Sequence, residues 1–368
     1  MPIDNTVKIH RLLAPFSSLY EMGVRFRNQL FSWGILPTER YTVPVICVGN
    51  LCAGGSGKTP HTEYIVDLLR AQYRVAVLSR GYKRKTSGFI LASVHSTSQE
   101  IGDEPFQLKQ KFPQVTVAVD SNRRRGIRNL LALPEEKRPE VIVLDDAFQH
   151  RYVAPSLSIV LTDYHRLFYA DKLLPAGRLR EPADSIRRAD VVIVTKCDEH
   201  LKPIEFRIIE ENMKLQAHQE LFFTCVRYDA LTPVFPTEAR VRTLDQTLKE
   251  EDILVLSGIA SPKPFIRQIE KYSDHVVSFS FPDHHSFTRQ DIRKIKNTFD
   301  TMSSPGKLMI VTEKDAARLV NNPYLPADWK KALYYLPISL SFCLNKQQAF
   351  DTMINKHIFT IQRNKILG

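Results

Sequence analysis

The stretch Val45–Thr62, VICVGNLCAGGSGKTPHT, constrains this chain more than any other. It begins as an apolar, β-branched run and passes through Gly54-Gly55-Ser56-Gly57-Lys58-Thr59. It then opens into helical spacing at Tyr64, Ile65, Leu68 and Leu69. Strand, glycine loop, helix is the context that makes a glycine motif a phosphate site. Glycines let the backbone curl so that several N–H groups face one anion, and the helix start adds partial positive charge there. Ala53, Gly54, Gly55, Ser56 and Gly57 would cradle the phosphates. Lys58 would reach the β- and γ-phosphates, and Thr59 would offer its hydroxyl to Mg²⁺. The strict pattern wants Gly where Cys52 stands; the doubled Gly54-Gly55 supplies flexibility instead.

At 368 residues the chain is long enough for about two domains. Its 43% hydrophobic and 25% charged residues fit a globular core. A net charge of +11 favours anionic partners without choosing among nucleotide, acidic membrane and nucleic acid. Five cysteines with no CxxC pair argue against a disulfide framework or zinc site. No uninterrupted apolar run of membrane-spanning length occurs, and no secretory signal pattern opens the chain. The expected location is therefore the cytosol, or a membrane approached from its cytosolic side.

Residues 8–33 recur apolar at Ile9, Leu12, Leu13, Phe16, Leu19, Tyr20, Val24, Leu30 and Phe31, with Lys8, Arg11, Arg25 and Arg27 adding charge. This basic amphipathic segment either lies in a membrane interface or packs its apolar face on the core. Strand candidates follow at residues 74–79, 115–119, 141–144, 157–161 and 191–194. The first ends in Arg80-Gly81-Tyr82-Lys83-Arg84, a basic aromatic turn that contacts substrate or is simply solvated. Asp103 and Glu104 read as an acidic helix start. Arg123-Arg124-Arg125 is either a phosphate clamp or a solvated helix start. Val141–Leu144 delivers Asp145 and Asp146 to a strand end, where the Mg²⁺ of a phosphate loop sits, and Gln149-His150 follow. Arg178, Arg180 and Glu181 lie in a Gly/Pro-bounded loop, a common setting for function. Thr195-Lys196-Cys197-Asp198 looks like the guanine-reading element of GTPases, and raises a rival reading as a GTPase or metallochaperone-like switch.

Strands alternating with helices imply an α/β fold: a P-loop NTPase-like parallel sheet with helices on both faces, plus a second, smaller α/β lobe. The pattern divides into an amphipathic segment at 1–34, a P-loop domain at 35–222, a linker at 223–240 and a smaller lobe at 241–368. In the latter, Pro282-Asp283-His284-His285 would form a metal site, supply one acid–base imidazole, or do neither; no third ligand follows at a recognisable spacing.

Taken together, the elements GNLCAGGSGKTPH, LSRGYKR, GDEP, VLDDAFQHR, LLPAGRLREP, VTKCD, SGIASP, FPDHHSF and VTEKDAARL closely resemble the tetraacyldisaccharide 4′-kinases of lipid A biosynthesis. They run in order from about residue 10 to about residue 320. The family usually shows DDGFQH where this chain has Ala147. The resemblance implies ATP- and Mg²⁺-dependent phosphorylation of the 4′-hydroxyl of a tetraacylated glucosamine disaccharide 1-phosphate. It implies a peripheral site on the cytoplasmic face of a bacterial inner membrane. The partners are then a lipid and a membrane surface, not nucleic acid, and no obligate protein partner follows. By motif position, Lys58 and Thr59 belong to the phosphate loop, and Asp145, Asp146 and Glu181 to the metal and phosphate region. Asp103 resembles the family's base and His284 the histidine that orients it. Arg80, Tyr82, Gln149, His150, Arg178 and Arg180 are the expected substrate contacts. With the lobe boundary near residue 240, Asp103 and His284 would sit in different lobes and meet only on closure.

Overall fold

The structure, a computed structural model, describes residues 9–244, 251–283, 285–302 and 306–367. Helix α1 (Ala14–Ser32) comes first. The strands of the larger unit follow: β1 (Val45–Asn50), β2 (Val75–Ser79), β3 (Ile90–Leu91), β4 (Thr116–Val119), β5 (Val141–Asp145), β6 (Leu157–Asp163), β7 (Val191–Thr195) and β8 (Glu220–Tyr228). Between them run α2 (Lys58–Leu69), α3 (Ser98–Ile101), α4 (Asp103–Lys111), α5 (Arg123–Leu131) and α6 (Pro203–Met213). The smaller unit carries β9 (Thr232–Pro233), β10 (Asp252–Ser257), β11 (Val276–Ser280), β12 (Lys307–Thr312) and β13 (Leu333–Leu336), with α7 (Lys263–Glu270), α8 (Arg289–Thr301) and α9 (Glu313–Leu319). The chain closes with β14 (Ile338–Phe342) and α10 (Gln347–Leu367).

The larger sheet has the order β14-β8-β7-β6-β1-β5-β2-β4-β3. From β8 to β4 every neighbour is parallel, and β3 caps the edge antiparallel. The apolar runs explain this. Strands β1, β2, β5 and β7 are buried at every position, as strands covered on both faces must be. Strand β1 lies between β5 and β6, where the winding of the chain reverses. Such a switch point opens a crevice at the carboxyl ends of the strands, the usual ligand site of open α/β sheets. The smaller sheet, β11-β10-β12-β13-β9, is parallel apart from β9. It has its own core around Leu254, Leu256, Met309 and the fully buried Trp329. Among the described residues no helix is long and apolar enough to cross a membrane.

The division into units differs from the sequence expectation in three places. The expected linker at 223–240 begins inside β8, and the first unit runs to Val226. Residues 340–367 return to the larger unit. There Phe350, Ile354 and Ile358 are buried, and Tyr64 of α2 donates to Asp351 at 2.7 Å. Residues 97–107 belong with the smaller unit although they interrupt the larger one in sequence. Asp103 is thus in the same unit as the 282–287 turn, not in the opposite lobe. His284 itself lies outside the described residues.

Candidate active site

The loop after β1 is shaped by its glycines. Gly54 has φ +121° and Gly57 φ +82°, both in the region that an L side chain resists. Gly57 is also the residue that starts α2. The loop is held from four sides. Inside it, Asn50 Nδ2 donates to Ser56 Oγ at 2.8 Å and to the Cys52 carbonyl at 2.6 Å. From α2, His61 Nδ1 donates to the Gly57 carbonyl at 2.7 Å, while Thr224 Oγ1 lies 3.1 Å from Nε2. Complete burial pushes the His61 pKa down to about 4, so the imidazole is neutral. From β7, Thr195 Oγ1 donates to the Ser56 carbonyl at 2.9 Å. Lys196 next to it donates to the Gly55 carbonyl and pairs with Asp163 at 2.6 Å. The segment expected to read guanine therefore braces the phosphate loop through its Thr and Lys.

The fourth side is the loop at 173–182. The Ala53 N–H donates to the Arg178 carbonyl at 2.7 Å, and the Arg180 N–H to the Leu51 carbonyl at 2.7 Å. Ala53, expected to donate to phosphate, is thus already engaged. Gly177 is dictated by packing: a Cβ there would collide with the Lys172 carbonyl oxygen and Asp171 Oδ1. This loop is in turn pinned by α1. Buried Ser17 accepts from the Ala176 N–H at 2.9 Å and donates to the Leu173 carbonyl at 3.0 Å, and Tyr20 donates to the Arg180 carbonyl at 2.9 Å.

Three charges meet at the mouth. Lys58 Nζ lies 3.7 Å from Asp146 Oδ1, and Arg180 Nη1 is 3.2 Å from both Asp146 oxygens. Asp146 reaches them because its backbone turns left-handed, φ +47°, at the end of β5. Burial alone would raise its pKa; Lys58 and Arg180, with Arg123 behind them, outweigh that and hold it below the ordinary carboxylate value. Gln149 Nε2 donates to the Asn50 carbonyl at 2.6 Å, and its Oε1 is 3.5 Å from Arg180. His150 stands near Arg123, Arg27, Arg124 and Arg80. Burial first, then those charges, push its pKa down to about 4. Arg80 and Tyr82 are exposed and line a cavity of about 340 Å³ with Lys83, Arg84 and Ser121. Arg178 is exposed and Thr59 half-buried.

The carboxylates expected to hold a metal face different partners. Among the described residues no three His, Cys, Asp or Glu side chains form a group that could hold a metal ion. The reason is local. Asp145 accepts from Ser79 Oγ at 3.1 Å and Thr62 Oγ1 at 3.5 Å, whereas Asp146 faces Lys58 and Arg180. Glu181 is buried and turned to Arg188, which stacks 4.2 Å over the Phe148 ring. Its second oxygen, Oε1, is buried without a hydrogen-bond partner. Among the described residues of the 282–287 turn there is no metal group either. His285 stacks on Phe281 at 4.6 Å and lies 3.0 Å from Asp291 Oδ2, whose carboxylate caps α8.

The arginine run at 123–125 splits: Arg125 is exposed in the first turn of α5, as a solvated helix start would have it, whereas Arg123 turns inward. Arg123 is buried and donates to the carbonyls of Asp120 and Asp145 at 2.7 and 3.0 Å, so it fixes the backbone that presents Asp146. Arg125 pairs with Asp120, and Arg124 with Glu39.

A family model described as tetraacyldisaccharide-1-P 4′-kinase matches residues 9–358. The tetraacyldisaccharide 4′-kinase of Parabacteroides distasonis is 61% identical over 364 residues, covering 99% of both chains. The chain belongs to the tetraacyldisaccharide 4′-kinase family. The kinase of the same name from Porphyromonas gingivalis is 43% identical over 97% of this chain and 99% of its own. Among solved structures, LpxK from Aquifex aeolicus in complex with ATP is similar with a TM-score of 0.71. It is 31% identical, and the match covers 94% of this chain and 98% of that one. His61 and Lys196 lie inside the motifs that carry the resemblance and Arg123 outside them, and residue type and spacing did not reveal what any of the three holds.

Proposed function

We infer that this protein transfers the γ-phosphoryl group of ATP to the 4′-hydroxyl of a tetraacylated glucosamine disaccharide 1-phosphate. The observation that carries this is the Lys58–Asp146–Arg180 cluster at the mouth of a glycine loop, at the switch point of the sheet, in a chain of this family. In phosphoryl transfer the protein contributes mainly positioning and charge stabilisation. Lys58 and Arg180 supply two positive charges where negative charge spreads over the phosphoryl oxygens. Removing one such stabiliser typically costs about 10²–10³ in kcat. Asp103 takes the proton of the sugar hydroxyl, with His284 as its expected partner. Arg80, Tyr82, Gln149, His150 and Arg178 provide the polar surface for the phosphorylated disaccharide.

Mg²⁺ fits this site as a cation with few protein ligands. Asp146 and the unpartnered Glu181 Oε1 are the carboxylate oxygens suited to it, Thr59 in the first turn of α2 would offer a hydroxyl, and phosphates and water would supply the remaining ligands. When bound, it would neutralise charge on the β- and γ-phosphates. Asp145, already engaged by two hydroxyls, is the weaker candidate.

The acyl chains call for a surface, and α1 offers one. Leu12 is 93% exposed, and Phe16, Leu19, Met22 and Phe26 are exposed too, while polar Ser17 is buried. This is the reverse of a helix packed by its apolar face. The basic residues do less than expected. Arg25 pairs with Glu21 and Asp184, and Arg27 donates to the Gln149 carbonyl. Attachment would rest on apolar area, about 1.5–3 kcal/mol for each large side chain buried in the interface. The setting would be the cytoplasmic face of the inner membrane. The test is transfer of labelled γ-phosphate to the disaccharide 1-phosphate from ATP, with GTP as control. Wild type should label the lipid from ATP, and Lys58→Ala should lose roughly a hundredfold or more. Turnover of GTP without a lipid acceptor would favour the switch reading instead.

A further inference from the structure

Asp103 and Glu104 open α4 as consecutive acids, and each is gripped by a different residue of α9. Lys314 Nζ lies 3.0 Å from Glu104 Oε1. Arg318 reaches a single oxygen of Asp103, Oδ2, with Nη2 at 2.8 Å and Nε at 3.2 Å. Lys314 and Arg318 are four residues apart, one turn, and so share a face of the helix. Both contacts lie within the smaller unit, to which residues 97–107 belong.

Arg318 is itself fixed from behind. Only 6% of its side chain is exposed. Its Nη1 donates to Asp315 Oδ1 at 2.8 Å and to the Gly258 carbonyl at 3.0 Å. Asp315, wholly buried, accepts from Thr312 Oγ1 at 2.7 Å and from the Gly258 N–H at 2.8 Å. Gly258 leaves no room for slack: a Cβ there would come within 2.9 Å of Asp315 Oδ1 and 3.3 Å of Arg318 Nη1. The guanidinium is therefore held by a buried network, and it pins Asp103 Oδ2 in turn.

We propose that Arg318 is a positioning residue that aims the Asp103 carboxylate at the acceptor hydroxyl, with Asp315 as its buried anchor. The inference rests on Asp103 being the base. A planar fork donating twice to one oxygen fixes orientation in a way that a lysine point charge cannot. The adjacent cation also favours the ionised carboxylate, so the benefit is direction rather than basicity. Among the described residues, the charged groups placed against Asp103 include Glu104 beside it and, from α9, Arg318 with Lys314 and Asp315 behind.

Three variants decide it: Asp103→Asn, Arg318→Met and Arg318→Lys, each assayed for kcat, KM for ATP and the pH profile of kcat/KM. Arg318→Met should lower kcat roughly tenfold to a hundredfold with KM for ATP little changed. It should also move the acid limb of the profile to higher pH, because the cation beside the carboxylate is gone. Arg318→Lys keeps the charge that Asp315 needs. It should fold with a wild-type melting temperature, keep the acid limb, and still lose about tenfold in kcat because the fork is gone. If Asp103→Asn retains wild-type kcat, the base reading fails whatever Arg318 does. If Asp103→Asn is inactive but Arg318→Lys keeps wild-type kcat, the positioning role fails and the base stands. The Lys variant decides even if the Met variant does not fold.

Discussion

His61 makes the phosphate loop sensitive to acid. Its ring is completely buried between the Gly57 carbonyl and the Thr224 hydroxyl, and its pKa falls from an ordinary 6.5 to about 4. Below the unfolded value the unfolded chain binds a proton that the folded chain refuses. Stability contributed by the neutral ring is therefore complete above about pH 6.5 and lost as pH falls toward 4. Between about pH 7.5 and about pH 5 the loss from this one group is about 2 kcal/mol, and it approaches about 3 kcal/mol by pH 4. His150, also pushed down to about 4, adds a loss of its own. His61→Gln isolates the first term, since an amide offers a donor and an acceptor but does not titrate. Urea unfolding followed by far-ultraviolet circular dichroism at the two pH values should show a loss about 2 kcal/mol smaller in the variant than in wild type. Equal losses in both proteins would refute the neutral, buried histidine.

Further predictions follow from the same geometry. Asp146→Asn leaves Lys58 and Arg180 without their shared anion and should lower kcat by roughly a hundredfold while raising the Mg²⁺ requirement, read by titrating the metal in the assay. Asp145→Asn turns an amide toward two hydroxyls; it should lower the melting temperature and leave the Mg²⁺ dependence near wild type. Gly177→Ala forces the 172–178 backbone apart and should destabilise by about 1–3 kcal/mol, with weaker ATP binding because the Ala53–Arg178 brace shifts; calorimetric melting and nucleotide titration check both. Replacing Leu12, Phe16, Met22 and Phe26 with Ser should abolish binding to anionic vesicles in a flotation assay without lowering the melting temperature, because none of the four is buried. Phe31, by contrast, packs edge-on at 4.9 Å against Tyr152, and Phe31→Ser should destabilise the protein.

Much of this fold was readable because its signals are local. The β1–loop–α2 unit, the strand runs and the Asp145–Asp146 strand end each announce themselves within a few residues. The unit boundaries did not, because they depend on pairs such as Tyr64 with Asp351 and Asp103 with Arg318, far apart in the chain. The same distance hid the braces. Lys196 sat in a motif that suggested base reading, and only the parallel pairing of β6 with β7 and of β6 with β1 brings it to the Gly55 carbonyl. Arg123 looked like one of three surface arginines, since spacing does not tell which member of a run turns inward. For α1 the periodicity was legible but its direction was not. Ser17 faces in and Phe16 out because the 173–182 loop offers backbone groups that only a hydroxyl can satisfy.

The central claim is that a phosphoryl group from ATP ends on the 4′ position of a phosphorylated, acylated disaccharide. The most direct measurement is two-dimensional ³¹P–¹H NMR of the lipid product after incubation with ATP and Mg²⁺. The account predicts a new phosphorus resonance correlated with the 4′ proton and the original 1-phosphate unchanged, with the new resonance lost in Lys58→Ala. A phosphate correlated with any other carbon, a diphosphate at position 1, or ATP consumed with the lipid unaltered would contradict it.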